Sequence, residues 1–252
     1  MNKADHFSCQ LTDYSLYRPS YPLKLFQHLV SLCPSDELAW DCATGTGQAA
    51  AGLARVFKKV IATDISAAQI EEAQSEENIV YKVASAEHSG IDSQSIDLIM
   101  VAQAFHWFDF ELFYTEAKRV LKPEGVLSVV SYQLPRINAD IDTLIDEFHH
   151  LTLGHYWPAE RRHVDNAYRD IPFPLLALPP PSLQMEQYWT LTQFLGYLRS
   201  WSAVVYFGKE KKRNPIDFIS KQLSTLWGDA DKQMPVYWPL TIRIGNFDTG
   251  TT

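Results

Sequence analysis

Cysteine is scarce in this chain. Cys9, Cys33 and Cys42 are the only three in 252 residues, and no two stand at a Cys-x-x-Cys spacing. That spacing argues against a disulfide framework and against a structural zinc site. A reducing compartment suits such a chain. Positive charge is also in deficit: 22 Lys and Arg face 30 Asp and Glu, a formal net charge of −8. An acidic protein has no long-range pull toward nucleic-acid phosphates. The one basic run, Lys209-Glu210-Lys211-Lys212-Arg213, stands beside Asn214-Pro215 and reads as a solvated loop. Long apolar runs are missing. The longest, Ile96 to Phe105, contains Asp97 and is too short to span a bilayer. The polar start Met1-Asn2-Lys3-Ala4-Asp5-His6 lacks the apolar region of a secretory signal. The expectation is a cytoplasmic protein, monomer or homodimer, with neither nucleic acid nor membrane as partner. Internal repeats are absent as well.

What is present is apolar and aromatic. Hydrophobic residues make up 46% of the chain, enough for a large core. Seven Trp and twelve Tyr suit an apolar pocket as well as a core. Residues 1–37 read as an N-terminal helical lid. After Ser20-Tyr21-Pro22, Leu25, Phe26, Leu29 and Leu32 recur at helical spacing until Pro34. From Leu38 strands and helices alternate. Short apolar runs at 38–42, 59–63, 79–83, 96–101 and 126–131 predict five strands buried on both faces. Helices are expected over 48–57, 66–73 and 112–121, with Ser66 as an N-cap. Runs at 183–190 and 237–245 complete a seven-stranded, mostly parallel, doubly wound Rossmann-like sheet with helices on both faces. On this reading residues 38–132 are the cofactor-binding core. Residues 133–181, which include a helical stretch from Ile141 to Leu153 and the Pro-rich passage from Pro172, form an inserted cap. Residues 182–252, with helices at 191–200 and 215–227, complete core and cap.

Ligands of open α/β sheets bind at the carboxyl ends of the strands. There stands Asp41-Cys42-Ala43-Thr44-Gly45-Thr46-Gly47, whose Gly45-x-Gly47-x-x-Ala50 satisfies a dinucleotide fingerprint. Asp64, about twenty residues on, is placed to accept ribose hydroxyls. Asp41 separates the alternatives by charge. Its carboxylate repels a pyrophosphate but attracts a sulfonium or ammonium group. That favours S-adenosylmethionine over NAD, with an NAD-dependent oxidoreductase as the competing reading.

These residues resemble the class I S-adenosylmethionine-dependent methyltransferases, of the methyltransferase type 11 group that includes trans-aconitate methyltransferases. Five segments carry the likeness in order: Asp41 to Gly47, Thr63-Asp64-Ile65-Ser66, Ala84-Ser85-Ala86-Glu87, Ser95 to Ile99, and Arg119 to Gly125. Three more extend it: Tyr14-x-x-Tyr17-Arg18-Pro19-Ser20-Tyr21-Pro22, Gln103 to Phe108, and Trp189 through Ser202. The resemblance implies that Tyr14, Arg18, Asp41, Ala43, Thr44, Gly45, Thr46, Gly47, Asp64, Ile65, Ser85, Ala86, Glu87, Ala102 and Gln103 hold S-adenosylmethionine and its product, S-adenosylhomocysteine. It also implies a small-molecule methyl acceptor, with a carboxylic acid among the candidates. Three positions depart from the pattern. Ala43 and Glu124 replace glycines, and Ser85 replaces an aspartate. Ala43 is harmless if its backbone angle is ordinary. Ser85 bonds an adenine amine more weakly than a carboxylate. Ala43 and Ser85 also motivate a non-catalytic, methyltransferase-like binding module as a further alternative.

Methyl transfer from a sulfonium is an in-line displacement, so the protein mainly positions the nucleophile and excludes water. A base is needed only where the acceptor begins protonated. His106, after the fourth strand, is the candidate for contact or base. Beside it Trp107 belongs to the same expected substrate wall. Arg18 and Tyr14 are candidates for the cofactor's carboxylate end or for closing the lid. Tyr156, Trp157, Arg161 and Arg162 are candidates for lining the cap's pocket. His149, His150, His155 and His163 match no metal motif, and no metal is expected.

Overall fold

The computed structural model describes residues 18–73 and 75–248. Tyr14 and the other expected lid residues before Arg18 lie outside the described residues. Helix α1 (Leu23–Ser31) buries Leu25, Phe26 and Leu29 on one face. Strand β1 (Leu38–Cys42) leads through the Gly turn into α2 (Gln48–Leu53). Then follow β2 (Lys59–Asp64), α3 (Ala67–Glu71) and β3 (Ile79–Val83). Ser66 caps α3 by accepting the Gln69 N–H at its hydroxyl. Next come β4 (Ile96–Ala102), α4 (Phe110–Val120) and β5 (Leu121–Tyr132). Asp109 caps α4 by accepting the Leu112 N–H. Residues 122–125 loop out of the pairing, because Ile96 faces Leu121 while Leu98 faces Val126.

Beyond β5 stand α5 (Ala139–Glu147), a π-helical turn (Phe148–Thr152) and α6 (Arg161–Asp165). The chain continues through β6 (Leu176–Leu178), β7 (Gln184–Trp189), α7 (Leu191–Arg199) and α8 (Ser202–Lys211). It ends with α9 (Ser220–Trp227) and β8 (Met234–Asn246). No helix among the described residues is long and apolar enough to cross a membrane.

The sheet is mixed, in the order β3-β2-β1-β4-β5-β8-β6, with β7 paired to β8 off that path. β3 through β5 run parallel, and β8 is antiparallel to β5, β6 and β7. Successive residues of a strand feed opposite sides, as the period of two requires. Trp40, Ile99 and Val101 pack with Phe113 and Ala117 of α4. Ala39, Leu98 and Met100 pack with Phe26 and Leu29 of α1 and Leu53 of α2. Each such side chain, fully buried, contributes about 1.5–3 kcal/mol.

Two expectations are corrected here. The sheet has eight strands rather than seven. The added strand is β6, which lies inside the Pro-rich passage assigned to the cap. Pro174 and Pro179 flank it, and such prolines are tolerated at a sheet's edge, where one side needs no ladder bond. The apolar core of residues 133–181 continues into the later helices. Ile141, Leu144, Phe148 and Leu153 share one apolar cluster with Phe194, Trp201, Phe207 and Leu223 of the later helices. Finally, the basic run read as a loop is largely helical: Lys209 to Lys211 end α8, and Lys212 adopts a left-handed C-cap. α1, expected in a lid, packs Phe26 against Gly52 of α2 so closely that any side chain at Gly52 would collide with it.

Candidate active site

The strand order reverses beside β1, between β2 and β4. A crevice opens outside the carboxyl ends of strands at such a switch point. Here it is a cavity of about 940 Å³. One wall comes from the turns after successive strands: Ala43 to Thr46 after β1, Asp64 and Ile65 after β2, Ser85 to Glu87 after β3, and Ala102 and Gln103 after β4. The opposite wall holds Arg18, His106, Trp107, Trp157, Arg161 and Lys209.

The first wall is shaped by left-handed backbone. Gly45 has φ +59° and Gly47 φ +89°. A Cβ on Gly47 would collide with the Tyr81 hydroxyl. The Gly45 N–H donates to Asp64 Oδ2 at 2.9 Å, and the Ser66 N–H donates to Oδ1 at 2.9 Å. These bonds oppose the rise in the Asp64 pKa that burial causes. With its N–H turned to a carboxylate, this loop is a poor cradle for pyrophosphate. Ile65 is 47% exposed and presents an apolar surface to the cavity. Gln103, also left-handed at φ +58°, donates its side-chain amide to the Tyr132 carbonyl at 3.2 Å.

Several expected residues stand elsewhere than the turn's pattern suggested. Asp41 is fully buried and does not line the cavity. Its Oδ2 accepts the Thr44 hydroxyl at 2.5 Å, while Oδ1 is buried without a hydrogen bond. Burial pushes its carboxyl up to about 7, against the lowering effect of the Thr44 bond. Asp41 therefore shapes the turn from behind and does not face the cavity. Gly47 likewise stands behind the lining, because its role is to begin α2 without a side chain. Ala43 has φ +58°, so the condition under which it would be harmless is not met. Glu124 repeats this at φ +63°. Each L residue so placed carries about 1–2 kcal/mol of strain.

On the second wall, Arg18 Nη1 donates to the Tyr132 hydroxyl at 2.8 Å, and Nη2 donates to the Ser200 carbonyl at 3.3 Å. The Arg161 guanidinium lies over the Trp157 ring at 4.9 Å and bonds Asp165 at 3.2 Å. His106 Nδ1 stands 3.0 Å from the Tyr168 hydroxyl. Tyr156, expected here, does not line the cavity; it packs on Phe207 with ring centroids 4.9 Å apart, and its hydroxyl reaches Glu210. The expected set omitted Tyr21, Tyr132, Ser202, Tyr206 and Lys209, all of which line the cavity. α8 carries three of these. An apolar spacing through Ala203, Val204 and Phe207 was the signal for that helix.

The fold and the turns define a Rossmann-like protein whose cavity suits an adenosine-bearing cofactor without phosphates. Relatives make this specific. The family described as a methyltransferase domain matches residues 40–129. A Dictyostelium discoideum protein named as a methyltransferase is 34% identical over 248 residues, covering 94% of each chain. A Saccharomyces cerevisiae protein described as an S-adenosylmethionine-dependent methyltransferase is 23% identical, covering 88% of this chain and 90% of its own. A solved structure from Anaeromyxobacter dehalogenans, described as a type II methyltransferase, is 40% identical with a TM-score of 0.86, covering 91% of this chain and 98% of that one. The chain belongs to the class I S-adenosylmethionine-dependent methyltransferases. The oxidoreductase and non-catalytic alternatives fall with that membership.

Proposed function

We propose that the chain methylates a small organic acid held between the strand ends and the cap. The observation that carries this reading is a recess of about 60 Å³ opening beside the main cavity. Arg18, Tyr132, Trp157, Arg161, Tyr197 and Ser202 are among its lining residues, which include two guanidinium groups and no carboxylate. Guanidinium forks match carboxylate geometry, and a partly dry site strengthens the pairing.

S-adenosylmethionine, when bound, supplies a methyl group on a sulfonium and leaves as a neutral sulfide. The residues of the first wall fit it. Asp64 carries a carboxylate for ribose hydroxyls, Ile65 an apolar face for the adenine, and Ser85 to Glu87 polar groups beside it. Arg18 and Arg161 orient the acid. From the second wall, His106 and Trp107 face the methyl acceptor and exclude water. A carboxylate nucleophile arrives deprotonated, so the chain has only to align it.

The test is turnover to S-adenosylhomocysteine across matched panels of small carboxylic acids, phenols and amines. Acids are expected to react. Arg161→Ala is expected to raise KM for the reactive acid about tenfold, the loss of roughly one charged hydrogen bond, with little change in kcat. Turnover confined to phenols or amines would sink the acid reading.

A further inference from the structure

Tyr168 lies beneath His106 in a backbone conformation that L residues avoid. Its φ is +55°, and that of Ala167 before it is +53°. Two consecutive residues in this region persist only where their surroundings over-determine them. Here they do. The Arg243 Nη1 donates to the Tyr168 carbonyl at 2.6 Å and to the Ile171 carbonyl at 2.8 Å. The Tyr168 N–H donates to the His163 carbonyl at 2.7 Å. The Tyr168 ring meets Phe105 edge-on, with centroids 5.7 Å apart. The outcome of this strained arrangement is a fully buried phenol whose hydroxyl stands 3.0 Å from His106 Nδ1.

A buried hydroxyl needs somewhere to donate. Burial holds the Tyr168 phenol well above its ordinary pKa, so its proton stays on. Ser131 is near enough to oppose that rise, but its Oγ makes no hydrogen bond of normal geometry. If the phenol accepted a proton from Nδ1, its own O–H would be left with Ser131 Oγ alone, which stands outside normal hydrogen-bond geometry. The arrangement that satisfies both groups has the phenol donating and Nδ1 accepting.

We infer that Tyr168 is a positioning residue that donates to His106 Nδ1 and so keeps the His106 proton on Nε2. His106 then offers a hydrogen-bond donor and not a base. This rests on the reading that His106 meets the methyl acceptor, and it suits an acceptor that arrives already deprotonated.

The tautomer can be read without knowing the acceptor. Protein labelled with 15N-histidine and saturated with S-adenosylhomocysteine would be studied by long-range proton–nitrogen NMR, at a pH where imidazoles are neutral. The His106 signals are those lost in His106→Gln. The wild-type spectrum is expected to show Nδ1 bare and Nε2 protonated. In Tyr168→Phe, which keeps the ring, the two tautomers are expected to average. A wild-type His106 protonated on Nδ1 overturns the inference, as does an unchanged pattern in Tyr168→Phe. Should that variant fail to fold, the wild-type spectrum still decides. Calorimetry of S-adenosylhomocysteine binding to the wild type is the control. Its failure would strike the functional reading, whereas a wrong tautomer strikes only this one.

Discussion

The two walls of the cavity are built in opposite ways. The strand-end wall comes from turns after four consecutive strands, at residues 43–46, 64–65, 84–87 and 102–103. Each turn is short, and its geometry follows from neighbouring residues. The second wall draws on Arg18, Tyr132, Trp157, Arg161, Ser202 and Lys209, brought together from across the chain. Its contacts are long-range: Arg18 bonds Tyr132, 114 positions away. Backbone conformation rules the first wall, and side-chain packing rules the second. Substitutions should therefore act through different quantities on the two sides.

The largest effect is expected at Gly47. Gly47→Val adds a branched side chain at φ +89° against the Tyr81 hydroxyl. S-adenosylhomocysteine affinity should fall by about 3 kcal/mol or more, read by calorimetry. Wild-type affinity in a folded variant would break the contrast between backbone and packing. A smaller loss, about tenfold or 1.4 kcal/mol, is expected for Asp64→Asn. The amide keeps one acceptor for the Gly45 N–H but loses the charge proposed to meet ribose hydroxyls.

The walls also answer pH in opposite senses. Burial raises Asp41 to about 7 from an ordinary 3.8. The folded state then holds the extra proton between those values, so stability falls as pH rises through that window. His149, behind Trp157 in the cap, is lowered by burial, and further by Arg161 and His150, to about 3 from 6.5. There the unfolded state binds the extra proton, so stability falls as pH drops from 6.5 toward 3. Asp41→Asn should remove the loss of melting temperature on raising pH from 3.8 to about 7, and His149→Phe the loss on lowering pH from 6.5 to about 3. Profiles unchanged by both substitutions would refute these assignments.

The smallest effects sharpen the comparison most. Ala43→Gly and Glu124→Gly each relieve a left-handed residue worth about 1 kcal/mol. Both should raise the melting temperature by roughly 2–4 °C. Only Ala43 touches the cavity, so Ala43→Gly alone should change S-adenosylhomocysteine affinity.

How much of this was legible beforehand differs residue by residue. Asp64 and Gly45 were found by position in a turn, and both stand on the cavity. Asp97 belongs to an equally recognisable signature yet serves the far end of the sheet. It accepts from Ser35 at 2.6 Å, from the Leu38 N–H at 3.0 Å and from Lys122 at 2.8 Å. A motif thus marked the family without telling ligand contacts from fold contacts. Asp41 shows the same limit, because its burial depends on strands on either side of β1. Lys209 was hidden by charge composition, which suggests solvent exposure but does not locate a helix. Tyr168 had no signal, since a left-handed backbone at a tyrosine is not written in its residue type.

The sequence by itself determined the alternation of strands and helices, the Gly turn with its carboxylate partner, and membership of the methyltransferases. These are matters of local period and local backbone freedom, which neighbouring residues dictate. The tertiary structure alone decided that β6 joins the sheet, that Asp41 is buried, that two arginines converge on one recess, and that Tyr168 meets His106. Each of those depends on chain segments packing across large separations in sequence, where burial and field are properties of the assembled interior.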